Sequence, residues 1–276
     1  MFEFHQPITE LSNWIKNYQF ISFNETFFEK PLIVTPSGDC YLTILSSPTK
    51  VVNLETQEEF YSHINISFID PKVNIIQCID KPKNAIIIRF HPGAVLKFFN
   101  FRMQKITEKP SRKGAEIKRV ITDTDFLYKL ADKHSEDLSQ IIPVLDSWFL
   151  SLLNNSQTEI ASSVLSAQRI IADSSGTIDI TELPQLVYMS RTALFTRFKE
   201  VFGVSPKVYA RIVRMNAAYI YLLQNSEVDV NIMDFITRFK FYDYSHFIKE
   251  FRYFFGVEPQ YCETNGYYLL KILEGK

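Results

Sequence analysis

A phrase that occurs twice constrains this chain more than any other feature. LFTRFKEVFGVSP begins at Leu194 and FIKEFRYFFGVEP begins at Phe247, so Leu194 and Phe247, Phe198 and Phe251, Phe202 and Phe255, Gly203 and Gly256, and Pro206 and Pro259 all pair at an offset of 53. In each copy large apolar residues recur at i, i+4 and i+8, which sets them on one stripe of a helix and leaves the charged residues elsewhere. A Gly then ends the helix, and a Pro follows three residues on. The chain therefore carries a duplicated helical unit.

Upstream of each copy lies a second short amphipathic run, ITELPQLVY before the first and NIMDFITRF before the second. Two helices joined so closely, the second with a polar face beyond its apolar stripe, make the helix-turn-helix shape that lays one helix in a DNA major groove. Between the copies PKVYARIVRMNAAYIYLLQ, Pro206 to Gln224, has its only Pro where the first helical turn accepts it. Such a strut is roughly 27 Å long, and with the width of the flanking helices it sets two recognition helices about one DNA turn, about 34 Å, apart.

These residues, MSRTALFTRFKEVFGVSPKVYARIVRMNAA and FKFYDYSHFIKEFRYFFGVEPQY, resemble the tandem helix-turn-helix domain of the AraC/XylS family of bacterial transcription regulators. Carried over position by position, the resemblance implies that Arg191, Thr192, Phe195, Thr196 and Lys199 of the first recognition helix face DNA, with Tyr244, Ser245, His246, Lys249 and Arg252 of the second. Arg and Lys suit guanine edges or phosphates, Ser and Thr suit either, and Phe195 suits a thymine methyl. The chain also departs from the family pattern. Pro184 and Ile236 stand where a small residue is usual, and Thr196 where Arg is common. Tyr188 and Lys240 stand at the turn positions where Gly is expected, because a left-handed backbone there costs an L-residue about 1 kcal/mol or more.

At 276 residues the chain is long enough for two cores, and the predicted fold class is α+β: a β-rich half over 1–155 with a helical connector, then an all-α reader over 160–276. The formal net charge is −1, and residues 168–276 hold 13 Lys/Arg against 12 Asp/Glu, so no strong counterion-release footprint is evident in the reader half. Cys40, Cys78 and Cys262 are widely spaced and odd in number, which argues against a disulfide framework or a zinc site and fits a reducing cytoplasm. No apolar run approaches the ~18 residues of a membrane span.

Residues 2–20 read as a short extended piece and then an amphipathic helix, with Leu11, Trp14, Ile15 and Tyr18 on one face. From there to Phe101, ISFNETFF, PLIVTPSGDCYLTILSS, TKVVNLE, SHINISFI, VNIIQCI and AIIIRFHPG are β-branched and aromatic runs broken by Pro, Gly, Asn and Asp, the pattern of an antiparallel sandwich or barrel. TPSGDCYLTIL and AIIIRFHPGAVLKFF resemble segments of the cupin-like sensors in one branch of the same family, which implies a small-molecule effector. Where that branch often has Glu, Thr43 stands here. Arg89, inside an apolar run, either faces outward, is salt-bridged, or clamps an effector carboxylate or phosphate. His63 and His91 lack the converging partners a metal needs, so no metal or other cofactor is expected.

His91 to Ala94 reads as a turn entering a helix over 95–101. Residues 103–122 are polar and basic, either a surface loop or a supplementary phosphate contact. Helical patterns follow over 125–138, 141–153 and 161–172, with a domain boundary near 154–159. Leu145, Trp148, Phe149 and Leu152 share one face, which fits either the dimerisation helices of such regulators, giving a homodimer, or packing within the chain. The leading function is an effector-controlled regulator binding double-stranded DNA. The alternative is an interaction protein whose degenerate reader binds another protein. Neither a nucleophile elbow nor a phosphate-cradling Gly-rich loop appears, so no catalytic residues are assigned.

Overall fold

The computed structural model describes residues 2–24, 26–67, 69, 74–103, 127, 129–130, 138–225, 230–259 and 267–268. The N-terminal half is built on one sheet of eight strands: β1 (Phe2–His5), β2 (Ile15–Ser22), β3 (Leu32–Val34), β4 (Cys40–Asn53), β5 (Glu59–Ser67), β6 (Asn74–Cys78), β7 (Asn84–Phe90) and β8 (Tyr267–Tyr268). Its order is β1-β2-β7-β4-β6-β3-β8, with β5 paired to β4 off that path. All pairs are antiparallel except β3 with β8, where Leu32 lies opposite Tyr267. The reader's C-terminal end thus adds a strand to the edge of the sheet.

Two expectations for this half need correcting. Ile15–Ser22 is a strand, not the end of a helix. The spacing of Leu11, Trp14, Ile15 and Tyr18 matches a helical face, but Tyr18, Gln19, Phe20 and Ile21 are buried in succession between β1 and β7. A strand covered on both faces reads as a run with no period of 2, so periodicity misassigns it. The segments CYLTILSS and TKVVN, read as two strands, are one strand of 14 residues. Pro48 falls within the register shift between Ile44 and Thr49, where the missing N–H costs no ladder bond. β4 pairs with β7 at one end, over Cys40–Leu45, and with β6 at the other, over Val51–Asn53.

After β7, Gly93 adopts φ 94°, a left-handed backbone that favours glycine at the turn into α1 (Ala94–Phe99). Helix α2 (Leu138–Asn155) packs its buried Leu145 and Phe149 inward, with Phe149 against Phe90 at 5.7 Å and Phe98 at 5.0 Å between ring centres. That face is occupied within the chain. Tyr18 donates its hydroxyl to Asp146 of the same helix at 2.7 Å, a buried bond between sheet and connector. The predicted helix over 125–138 and basic stretch over 103–122 fall almost wholly outside the described residues, as does Cys262.

Ser156 to Ala161 lead, without helix or strand, to α3 (Ser162–Asp173), α4 (Leu183–Leu186), α5 (Arg191–Phe202), α6 (Pro206–Gln224), α7 (Ile232–Arg238) and α8 (Tyr244–Phe255). One buried cluster runs from Ile88 and Phe90 of the sheet through Phe149 and Ile171 to Phe198, Tyr209 and Phe251. Among the described residues no helix is long and apolar enough to cross a membrane.

Candidate nucleic-acid interface

Each helix pair is assembled by local signals. In the first, Pro184 lies in the opening turn of α4, where its missing N–H is harmless. The chain then reverses at Tyr188, whose φ is 54°. Ser190 caps α5 by accepting from the Ala193 N–H at 3.2 Å, and Gly203, at φ 81°, ends it by donating to the Lys199 carbonyl. In the second, Asn231 caps α7, the chain reverses at Lys240 with φ 50°, Asp243 caps α8, and Gly256 ends it at φ 75°. Both turn positions at which glycine was expected are left-handed, so Tyr188 and Lys240 hold strained backbones. Tyr188 precedes its cap Ser190 by two residues, whereas Lys240 precedes Asp243 by three. The offset of 53 in the recognition helices is therefore 52 in the turns.

The apolar stripes face inward, with Leu194, Phe198, Phe247 and Phe251 all buried. On α5, Arg191, Thr192 and Thr196 are exposed; Phe195 is half-buried beneath the Arg191 guanidinium, 5.4 Å from its ring centre, and Lys199 is half-buried. On α8, Tyr244, Ser245, Lys249 and Arg252 are exposed. His246 is half-buried, its Nδ1 accepting from the Tyr242 N–H at 3.3 Å, and Arg252 is ion-paired with Glu258. Thus seven of the ten predicted contact residues present open side chains, while Phe195, Lys199 and His246 are partly taken up by the fold.

Sequence reasoning missed Glu250. It lies on α8 but points to the strut, accepting from Arg211 Nε at 2.9 Å and Nη2 at 2.8 Å. Arg214 Nη2 lies 3.8 Å from the same carboxylate. Burial lowers the Arg214 pKa against the pull of Glu250, with Arg211 adding to the fall, while the hydrogen bond to Glu250 raises that of Arg211. The available signal was Arg211 and Arg214 at i and i+3 on one face of α6. Tyr188 and Tyr242, 98% and 88% exposed, were not singled out as contacts either.

The N-terminal half touches the helix-turn-helix half away from the N-terminal end of α5. Met103 donates its N–H to the Glu200 carbonyl at 3.1 Å, and Asn216 of the strut donates to the Pro36 carbonyl at 3.0 Å. A cavity of about 670 Å³ opens between the halves, with Lys97, Phe99, Arg102, Ile160, Arg197 and Glu200 in its wall. Arg89 takes the salt-bridged alternative: its Nε donates to Asp39 Oδ2 at 2.7 Å, and Lys16 Nζ lies 2.8 Å from Oδ1. Burial alone would raise the Asp39 pKa, but Lys16 and Arg89 outweigh it and hold the carboxyl below its ordinary value. Among the described residues no cluster of His, Cys, Asp and Glu has the makings of a metal site.

Compared with known proteins, residues 185–262 match the family model described as a helix-turn-helix domain. No curated protein matches the chain. Among solved structures the chain is similar to an apo variant of ToxT from Vibrio cholerae strain SCE256, at 10% identity and TM-score 0.47 over 90% of this chain and 97% of that one. ToxT of the same strain bound to an unsaturated fatty acid matches at 11% identity and TM-score 0.44 over 99% of both chains. ToxT from Vibrio cholerae O395 matches at 14% identity and TM-score 0.44 over 94% and 99%.

Proposed function

We propose that residues 185–262, which match a helix-turn-helix family model, are a DNA-binding domain of the AraC type, and that the chain is a regulator of transcription that binds double-stranded DNA sequence-specifically through α5 and α8. One observation carries the reading: the two copies, held on a single strut of 19 residues, both keep their apolar stripes buried and turn Arg191, Thr192 and Thr196, or Ser245, Lys249 and Arg252, to solvent. An exposed face that mixes hydroxyl and basic side chains suits base edges and phosphates together. A small-molecule effector in the N-terminal half belongs to the same proposal.

The test is selection of bound fragments from random DNA, followed by mobility-shift titration at about 50 mM salt, where phosphate contacts are strongest. A consensus spanning two adjacent major grooves is the expected result. Binding with no sequence preference would overturn the proposal. A second reading, a protein-binding reader, has in its favour the exposed Tyr188, Tyr242 and Met233; it predicts no selected DNA at all.

A further inference from the structure

We propose that Glu250 is a positioning residue that fixes the angle of the second recognition helix on the strut, and so the spacing between the two grooves the reader engages. The inference rests on the DNA-binding reading above. It starts from a difference between the two copies, which hang on one strut by different forces.

Helix α5 packs on α6 with Phe198 and Phe202 lying 5.7 Å and 6.2 Å from Tyr209. Helix α8 also has ring contacts, Tyr219 with Phe251 at 5.8 Å and with Phe255 at 4.6 Å. To these it adds the carboxylate of Glu250, 14% exposed, gripped by the Arg211 fork and approached by Arg214. The hydrophobic driving force is non-directional, whereas a two-point guanidinium–carboxylate contact fixes direction as well as distance.

The grip extends past the helix. Arg214 lies over the Phe241 ring at 4.8 Å and donates from Nη1 to the Lys240 carbonyl at 3.4 Å, so the strained turn is held by the same side chain. Arg211 lies over Tyr253 and Phe254 of α8 at 5.1 Å and 5.3 Å. Strut, turn and recognition helix are therefore joined at one charged point. At the paired position the first copy carries Arg197 in place of a carboxylate, and that side chain is exposed beside the interdomain cavity. The first unit is instead braced by the sensor through Glu200 and Met103. The second unit depends on Glu250 for its pose.

The experiment uses the full chain and DNA fragments selected by the wild type, together with the same fragments carrying one or two base pairs inserted between the half-sites. Wild type is expected to discriminate against the inserted DNA. Glu250→Gln is expected to bind the parent fragment about tenfold more weakly, through lost simultaneous engagement, and to lose most of the discrimination against inserted spacing. Arg211→Lys keeps the charge but not the fork, and is expected to lose the discrimination too, so a folding defect in one variant leaves the other decisive. Far-ultraviolet circular dichroism identifies which variants are folded. A folded Glu250→Gln or Arg211→Lys with wild-type spacing preference overturns the inference and leaves the DNA reading standing. Failure of the wild type to select any sequence overturns the DNA reading, and the role of Glu250 with it.

Discussion

Tyr209, at the start of the strut, donates its hydroxyl to the carbonyl of Gly38 in the loop between β3 and β4 at 3.3 Å, and the same oxygen accepts from Gln168 Nε2 at 2.8 Å. One buried phenol thus joins the β3–β4 loop to α3 and α6. Burial is the main cause that pushes its pKa up, so it stays a neutral donor throughout the working range. Tyr209→Phe leaves a half-buried carbonyl and a half-buried amide without this partner, and is expected to cost about 1 kcal/mol. Urea unfolding followed by fluorescence would show it as a lower midpoint; an unchanged midpoint would mean that water replaces the hydroxyl.

Gly38 is tied to this contact by space. A Cβ there would stand 3.3 Å from the Tyr209 hydroxyl and 3.4 Å from Val213. A β-branched side chain at this position has to move the strut or the loop. Gly38→Val is therefore expected to weaken the docking of the halves, seen as faster proteolysis of the intact chain between them. Cleavage at the wild-type rate would count against a close fit here.

Asp39 sits next in sequence, 6% exposed, between Lys16 and Arg89. Its folded pKa is lowered, so the stability it contributes is present above its unfolded value near 3.8 and is lost as pH falls through the folded one. Asp39→Asn removes the central charge and leaves two cations side by side, at an expected cost on the order of 3 kcal/mol at pH 7. The two proteins should converge as pH falls through the lowered folded pKa of Asp39. Thermal melts across pH 2 to 7 would check this, and a parallel offset at every pH would refute it.

Much of the reader was legible because its signals are local. Gly203 and Gly256 mark the helix ends, Pro206 opens the strut, and the left-handed turns fall at Tyr188 and Lys240 where a glycine was expected. The sheet was less legible. Whether Ile15 to Ser22 is helix or strand depends on β1 and β7, which arrive from elsewhere in the chain, and tertiary pairing overrides local periodicity. Arg89 was visible as an anomaly, but its partner Asp39 lies 50 residues away and no local pattern links them. Glu250 was hidden for a related reason: on α8 it looks like one more polar residue of the outer face until the strut is set beside it.

Tyr188 is 98% exposed at a φ of 54°, so its ring recovers almost nothing for the strain of its backbone. Tyr188→Gly is expected to raise stability by about 1 kcal/mol, the left-handed penalty for an L-residue outweighing the extra freedom of glycine in the unfolded chain. Chemical denaturation measures it directly. A lower midpoint would show that the tyrosine makes a contact in solution that offsets the strain.

Exposure also separates the two basic residues of the second recognition helix. Lys249 is open to solvent, whereas Arg252 is already paired with Glu258. A cation that meets a phosphate releases a counterion, and each such contact adds about 0.9 to the slope of log affinity against log salt on duplex DNA. Lys249→Ala should therefore lower that slope by about 1 and weaken all sequences alike. Arg252→Ala should change it less, because Glu258 competes for the guanidinium and its release offsets part of the gain. Titrations of a selected fragment from 50 to 200 mM salt distinguish the two. Equal slopes for wild type and Lys249→Ala would place that lysine off the phosphate backbone and move the electrostatic footprint of α8 to Arg252.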